Sequence, residues 1–172
     1  MSTTYRDATP ADGSNLDAMA RAIWLETFAG SAPDSDLQAY VAGAYGPDGK
    51  LLRDLADPAN RFRLAVDGDR ILGYAKLVQP FLDPSLVDAG ALQLSQLYVV
   101  ADRHGDGIGP ALLDWTIATA RAESAPALFL TVWEDNARAL RFYQRRGFVH
   151  VGDYAFQTGT QVDRDLIMRL AL

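Results

Sequence analysis

The sequence predicts a mixed α/β sheet, and three observations lead to that class. Strand-like runs and amphipathic helical runs interleave on both sides of a glycine-rich turn. The chain has 172 residues, 49% of them hydrophobic, which suits one core and makes a single domain over 1–172 the default expectation. No run approaches the roughly 18 apolar residues that a membrane-spanning helix needs.

Residues 3–9, TTYRDAT, read as a short first strand. Residues 11–30 follow as a helix, because Leu16, Met19, Ala20, Ile23, Trp24 and Phe28 recur at helical spacing and make one apolar face. The stretch from Gly30 to Pro33 breaks it, and residues 34–46 form a second helix, capped by Asp34 or Ser35 and stopped at Gly46-Pro47. Residues 61–79 are a hairpin, with alternating runs either side of Asp67-Gly68-Asp69. Residues 80–90 are a loop punctuated by Pro and Asp, and residues 91–100, ALQLSQLYVV, are a strand. A helix over about 109–123, a strand over 127–133 and a helix over 135–146 ended by Gly147 come next. Residues 148–156 and 165–172 are two closing strands.

The turn between the strand at 91–100 and its helix carries Gly105, Gly107 and Gly109 at alternate positions. Glycines at such a junction let backbone N–H groups converge on an anion, and the helix N-terminus adds about half a positive charge. Pro110 fits the first helical turn, where its missing N–H costs nothing. The turn suits a phosphate. No Lys-Ser/Thr follows the last glycine, so it is no P-loop, and Pro110 stands where a dinucleotide fingerprint would place its third glycine.

Charge and composition exclude other classes. Sixteen Lys and Arg against 22 Asp and Glu give a formal net charge of −6, the wrong sign for a phosphate-backbone binder and a better match to a cationic ligand. Nucleic acid is not an expected partner. There is no cysteine, and His104 and His150 stand alone, so no disulfide, thiolate nucleophile or metal site is expected. The start, MSTTYRDATPADGS, has no apolar signal core; the reading is a soluble, cytoplasmic protein with no membrane partner.

A second motif, VWEDNARALRFYQRRGF, places Asn136 at a helix start, Phe142 and Tyr143 near its end, and Gly147-Phe148 as its stop. With HGDGIG at 104–109 and NARALRFYQRRGF at 136–148, the sequence resembles the GNAT superfamily of acetyl-CoA-dependent N-acetyltransferases. That family's signature is a strand, then [Q/R]-x-x-G-x-[G/A], a helix, and later N-x-x-A-x-x-F-Y-x-x-x-G-F. His104 stands where the family has Gln or Arg. LETFAG, VWEDN and AFQTGTQVDRDLIM further resemble the PaiA-like spermidine/spermine N-acetyltransferases.

The resemblance implies a GNAT-type mixed, mostly antiparallel sheet flanked by helices, with a splayed parallel strand pair forming the acetyl-CoA cleft. It implies direct acetyl transfer to a primary amine, with polyamines favoured; another amine, or a non-catalytic acyl-CoA-binding module, are the alternatives. A homodimer is allowed by the same resemblance. Cofactor contacts fall on the main chain of Leu97, Tyr98 and Val99, on His104, Gly105, Asp106, Gly107, Ile108 and Gly109, and on Asn136 and Arg145.

A substrate amine is about 99% or more protonated at neutral pH, and the leaving thiolate needs an acid. Tyr143 suits the acid role. Counting alternate positions Gln93, Ser95 and Leu97 along the strand before the turn finds no carboxylate, so Glu134 acting through water is the candidate base, with Glu26 or solvent as alternatives. Trp24 with Glu26, and Trp133 beside Glu134, are candidate seats for an alkylammonium, which combines Coulomb attraction with cation–π contact.

Overall fold

The computed structural model describes residues 2–172. One seven-stranded sheet runs through it in the order β1-β2-β3-β4-β5-β7-β6. The strands are β1 (Thr4–Asp7), β2 (Arg61–Asp67), β3 (Arg70–Val78), β4 (Leu92–Val99), β5 (Ala127–Trp133), β6 (Val149–Thr158) and β7 (Gln161–Ala171). The helices are α1 (Gly13–Thr27), α2 (Asp34–Ala44), α3 (Lys50–Ala56), α4 (Ile108–Ala122) and α5 (Ala137–Arg145). Every neighbouring strand pair is antiparallel except β4 and β5.

The parallel pair is brief. It holds only at Leu92 with Leu128 and Gln93 with Phe129. Beyond that point β4 keeps pairing with β3 and β5 with β7, so the two inner strands part and leave facing backbone edges open. The β4 side chains change from buried to half-exposed at Ser95, where the gap begins.

Helices cover both faces of the sheet. On one, α4 supplies Leu112, Leu113 and Ile117 and α5 supplies Tyr143 to a core with Leu128, Leu130 and Met168. On the other, Leu16, Ala20 and Trp24 of α1, Leu37 and Val41 of α2 and Leu51 of α3 pack on Phe62, Leu64 and Tyr74. The sequence-derived elements map onto these, with three differences. Strand β7 begins at Gln161 rather than at residue 165, so Asp163 lies in the strand. Helix α2 begins after Pro33 without a side-chain cap from Asp34 or Ser35, since both lie inside its first turn. Helix α3 was not expected at all: seven residues are too few for periodicity to declare themselves.

What holds α3 is tertiary. Lys76 on β3 is 4% exposed and ion-pairs with Asp54 of α3, which also takes Lys50 at 2.5 Å. Burial pushes the Lys76 ammonium below the ordinary lysine range, and the hydrogen bond to Asp54 restores part of its charge preference. Asp54→Ala therefore strands a buried cation and is expected to lower unfolding free energy by about 3 kcal/mol, whereas Lys76→Met stays within about 1 kcal/mol of the parent. Urea unfolding of both variants checks this.

Candidate functional site

The site forms where β4 and β5 part. A register shift opposite Lys76 and Leu77 leaves Ser95 as an extra, bulged residue in β4. The bulge resets the strand's alternation. Leu94, Leu97 and Val99 belong to the α4/α5 side, while Gln96 and Tyr98 turn to the α1/α2 side together with Gln93. The plain alternation Gln93, Ser95, Leu97 is thus corrected: the residues that face the gap on the α1/α2 side are Gln93, Gln96 and Tyr98.

Backbone direction follows the same logic. Val100 N–H donates to Leu72 O at 2.9 Å, so strand alternation turns the Tyr98 peptide groups to β3 and those of Leu97 and Val99 to the gap. Tyr98 therefore offers its phenol to the gap region rather than its main chain. The Val99 carbonyl is already taken by His104 Nε2 at 2.9 Å.

Gly105 and Gly107 lie at φ +94° and +81°, the left-handed region that favours glycine. Gly107 caps α4, and Ile108 and Gly109 are its first two residues, so their amides have no intrahelical acceptor. His104 does not point freely into this turn. Its Nδ1 accepts from Arg138 at 2.6 Å while Nε2 donates to Val99, which defines the Nε2–H tautomer. Arg138, Arg141 and Arg145 recur on the exposed face of α5, and the His104 contact brings the first of them to the turn. Arg138 is the cation the sequence reading missed; its spacing with Arg141 and Arg145 was the available signal. Asp106 pairs with Arg103 at 2.7 Å, which offsets its charge beside the free amides of the turn.

Asn136 caps α5, its Oδ1 accepting from Ala139 N at 3.1 Å, and its amide hydrogens stay unspent. Arg145 makes no ion pair among the described residues, whereas Arg146 pairs with Asp114. Tyr143 is buried beside Phe142 and Phe148, and burial pushes its phenol above the ordinary range, with Tyr98 adding to the shift. The two phenols pack on opposite faces of the sheet.

Glu134 is exposed and ion-pairs with Arg164 at 3.0 Å, and Arg164 also holds Asp153. Strand alternation puts Arg164 on the face opposite Asp163 and Asp165. Glu26 is likewise exposed and lines an open groove of about 470 Å³ with Met19, Ile23 and Ile71, turned away from Trp24 on its own helix. Trp24 is 2% exposed and stacks on Tyr40 at 4.3 Å. Phe28 links it to Trp133 at 5.4 Å and to Phe156 at 5.9 Å. The structure thus brings Trp24 and Trp133 into one aromatic cluster and leaves Glu26 and Glu134 outside it.

The acids beside that cluster are on β7. Asp165 stands opposite Trp133 of β5 and Tyr154 of β6, and Asp163 stands opposite Phe156. Asp165 is 7% exposed, and burial pushes its carboxyl up to about 6, against a hydrogen bond from Thr131 that lowers it and a neighbouring Asp163 that raises it further. Its Oδ1 has no hydrogen-bond partner, nor has Asp163 Oδ2.

With this fold and site described, the comparisons are direct. The chain matches the acetyltransferase (GNAT) family over residues 18–148. It is 30% identical over 158 residues, spanning 90% of this chain and 96% of the relative, to an uncharacterized N-acetyltransferase of Mycobacterium tuberculosis. Among solved structures it is similar to a PaiA N-acetyltransferase from Thermoplasma acidophilum in complex with coenzyme A, with TM-score 0.78, 22% identity and all of both chains covered. It is also similar to yncA, a putative acetyltransferase from Salmonella typhimurium with its cofactor acetyl-CoA, with TM-score 0.71, 18% identity, and 99% and 94% of the two chains covered.

The chain belongs to the acetyltransferase (GNAT) family. It is an N-acetyltransferase, and acetyl-CoA is its co-substrate.

The Asp165 carboxyl makes the fold pH-dependent with a defined sign. Between about pH 4 and pH 6 the folded chain keeps a proton that the unfolded chain has released, so stability falls as pH rises through that window and levels off above it. The loss is of the order of 2–3 kcal/mol, and Asp165→Asn is expected to remove it. Unfolding free energies of both proteins from pH 4 to 8, with carbon-detected NMR of the carboxyl, measure it.

Proposed function

We propose that this enzyme acetylates a primary amine of the polyamine class, such as spermidine or spermine, by direct transfer from acetyl-CoA. The observation that carries the reading is the aromatic cluster of Trp24, Phe28, Tyr40, Trp133 and Phe156 set beside Asp163 and Asp165. Rings and carboxylates together favour an alkylammonium through cation–π and Coulomb terms. Two carboxylates at alternate positions of one strand stand roughly 6–7 Å apart, a spacing that suits a molecule with more than one ammonium group. The likeness to a PaiA N-acetyltransferase points the same way.

The residues fit the acetyl donor. The amides of Gly105, Gly107, Ile108 and Gly109 suit its phosphates, with Arg138 and Arg145 as nearby cations, and the open edge at Leu97 with the Val99 N–H suits an amide-bearing arm with Asn136. The donor supplies a thioester carbonyl to the amine. Tyr143 keeps its proton throughout the working pH range and donates a hydrogen bond to the departing sulfur.

The test is release of free CoA thiol over a panel of spermine, spermidine, amino acids, aminoglycosides and peptides. The absence of cysteine removes the protein's own thiol background. Polyamine turnover is the expected result; polyamine silence with turnover on another amine overturns the substrate class. In the same assay Tyr143→Phe is expected to lower kcat by about 100-fold or more with little change in either KM, and unchanged turnover would remove the acid role.

A further inference from the structure

Among the described residues, five side-chain polar atoms are buried without a hydrogen-bond partner: Tyr74 Oη, Gln93 Nε2, Gln96 Oε1, Asp163 Oδ2 and Asp165 Oδ1. They come from three strands, and all five residues stand on the α1/α2 side of the sheet. Each such atom costs free energy unless something fills its valence, and an unpartnered carboxylate oxygen beside the end of β5 marks a place where a polar ligand completes the set. One of the five atoms is a carboxylate oxygen on a side chain more than nine-tenths buried.

We propose that Asp165, on β7 beside Trp133 at the end of β5, is the catalytic residue that receives the substrate ammonium and takes its proton. The inference rests on the amine-acetylation reading above and assigns the base that neither β4 nor Glu134 supplies. Position argues for it first: Asp165 is the register partner of Trp133, the last residue of β5, where the strands have parted. Its charge acts on Tyr98 across the gap and on Tyr40 of α2, raising both phenols. Its titratable neighbours are Asp163 along β7, Tyr154 opposite on β6, Tyr98 on β4 and Tyr40 on α2; among the described residues none of these is a cation. Arg164, between the two aspartates, turns to the other face and is occupied by Asp153 and Glu134. An arriving ammonium is the missing countercharge.

The protons balance. The ammonium gives one proton to the Asp165 carboxylate and becomes a neutral amine, whose lone pair forms the new C–N bond at the thioester carbonyl carbon as the C–S bond breaks. The electron pair of that bond leaves on sulfur. The nitrogen's second proton passes to the thiolate by way of Tyr143, which receives one proton as it gives one, and Asp165 releases its own to solvent after the product departs. A base that titrates near the working pH suits this exchange.

The experiment compares the parent, Asp165→Asn and Asp165→Glu, using spermidine or whichever amine of the panel is turned over. The parent is expected to show an acid limb near pH 6 in kcat/KM for the amine. Asp165→Asn should lower that value about 100-fold or more and lose the limb, with acetyl-CoA KM unchanged. A fluorinated amine that is largely neutral at pH 7 should recover much of the loss, and Asp165→Glu should retain part of the activity. Wild-type kcat/KM with the same limb in Asp165→Asn overturns the assignment while leaving the polyamine reading intact. Turnover on some other amine overturns the polyamine reading and leaves the Asp165 comparison valid on that amine. Independently of turnover, spermidine added with CoA to the parent should lower the NMR midpoint of the Asp165 carboxyl. An unmoved midpoint at saturating amine overturns the assignment even if the Asn variant fails to fold.

Discussion

The constraint on which this structure depends is that β4 and β5 pair for two residues and then stop. A parallel pair in the middle of a sheet would ordinarily continue, because each unmade ladder bond leaves a donor and an acceptor unpaired. Here each strand keeps its outer partner, β3 for β4 and β7 for β5, so only the facing edges are left open. The two halves of the sheet stay joined by the core beneath α4 and α5, in which Leu97 and Val99 from one half meet Leu128, Leu130 and Val132 from the other. The gap is thus an opening in the backbone ladder above a continuous side-chain core. A ligand that carries its own peptide-like groups can enter it without disturbing the packing.

The bulge at Ser95 decides what the gap presents. Without the extra residue, Gln96 and Tyr98 would turn into the α4/α5 core and Leu97 would face the aromatic side, a mismatch on both faces. With it, apolar side chains stay in the core and an amide and a phenol stand at the opening. Gln96 and Tyr45 hydrogen-bond the Tyr98 phenol against the upward push of burial, and Tyr143 approaches from below. One inserted residue therefore sets the face on which the Tyr98 phenol stands.

Much of this was legible in the sequence, and the reasons differ by feature. The strands and long helices declared themselves through periodicity, and the glycine turn and Asn136 motif declared themselves through residues that few other conformations require. The bulge was not legible, since Gln93 to Leu97 reads as regular alternation until the partner strand is known. Nor was Asp165. In QVDRDLIM the carboxylates fall at alternate positions, which is how the solvent face of an edge strand reads. Strand β7 is instead inserted between β5 and β6, and α1 and α2 lay Trp24, Phe28 and Tyr40 beside that face. The His104–Arg138 contact joins residues 34 apart in sequence, so the substitution at the family's Gln/Arg position could be read, but not the arginine that accompanies it.

The distribution of charge ties the two halves of the reaction together. Several carboxylates are matched to arginines at the surface, among them Asp7 with Arg63, Asp12 with Arg6, Asp88 with Arg169 and Asp102 with Arg70. Asp163 and Asp165 carry no such pairing among the described residues, and they stand on the α1/α2 side. On the other side arginines recur along α5, and Arg138 reaches His104 at the glycine turn. A negative net charge would repel a polyphosphate and attract a polyamine indiscriminately if its charges were spread evenly. On the proposed reading, the arginines of α5 would give the anionic co-substrate a local positive field, and the unpaired aspartates would draw an ammonium to the other face of the sheet.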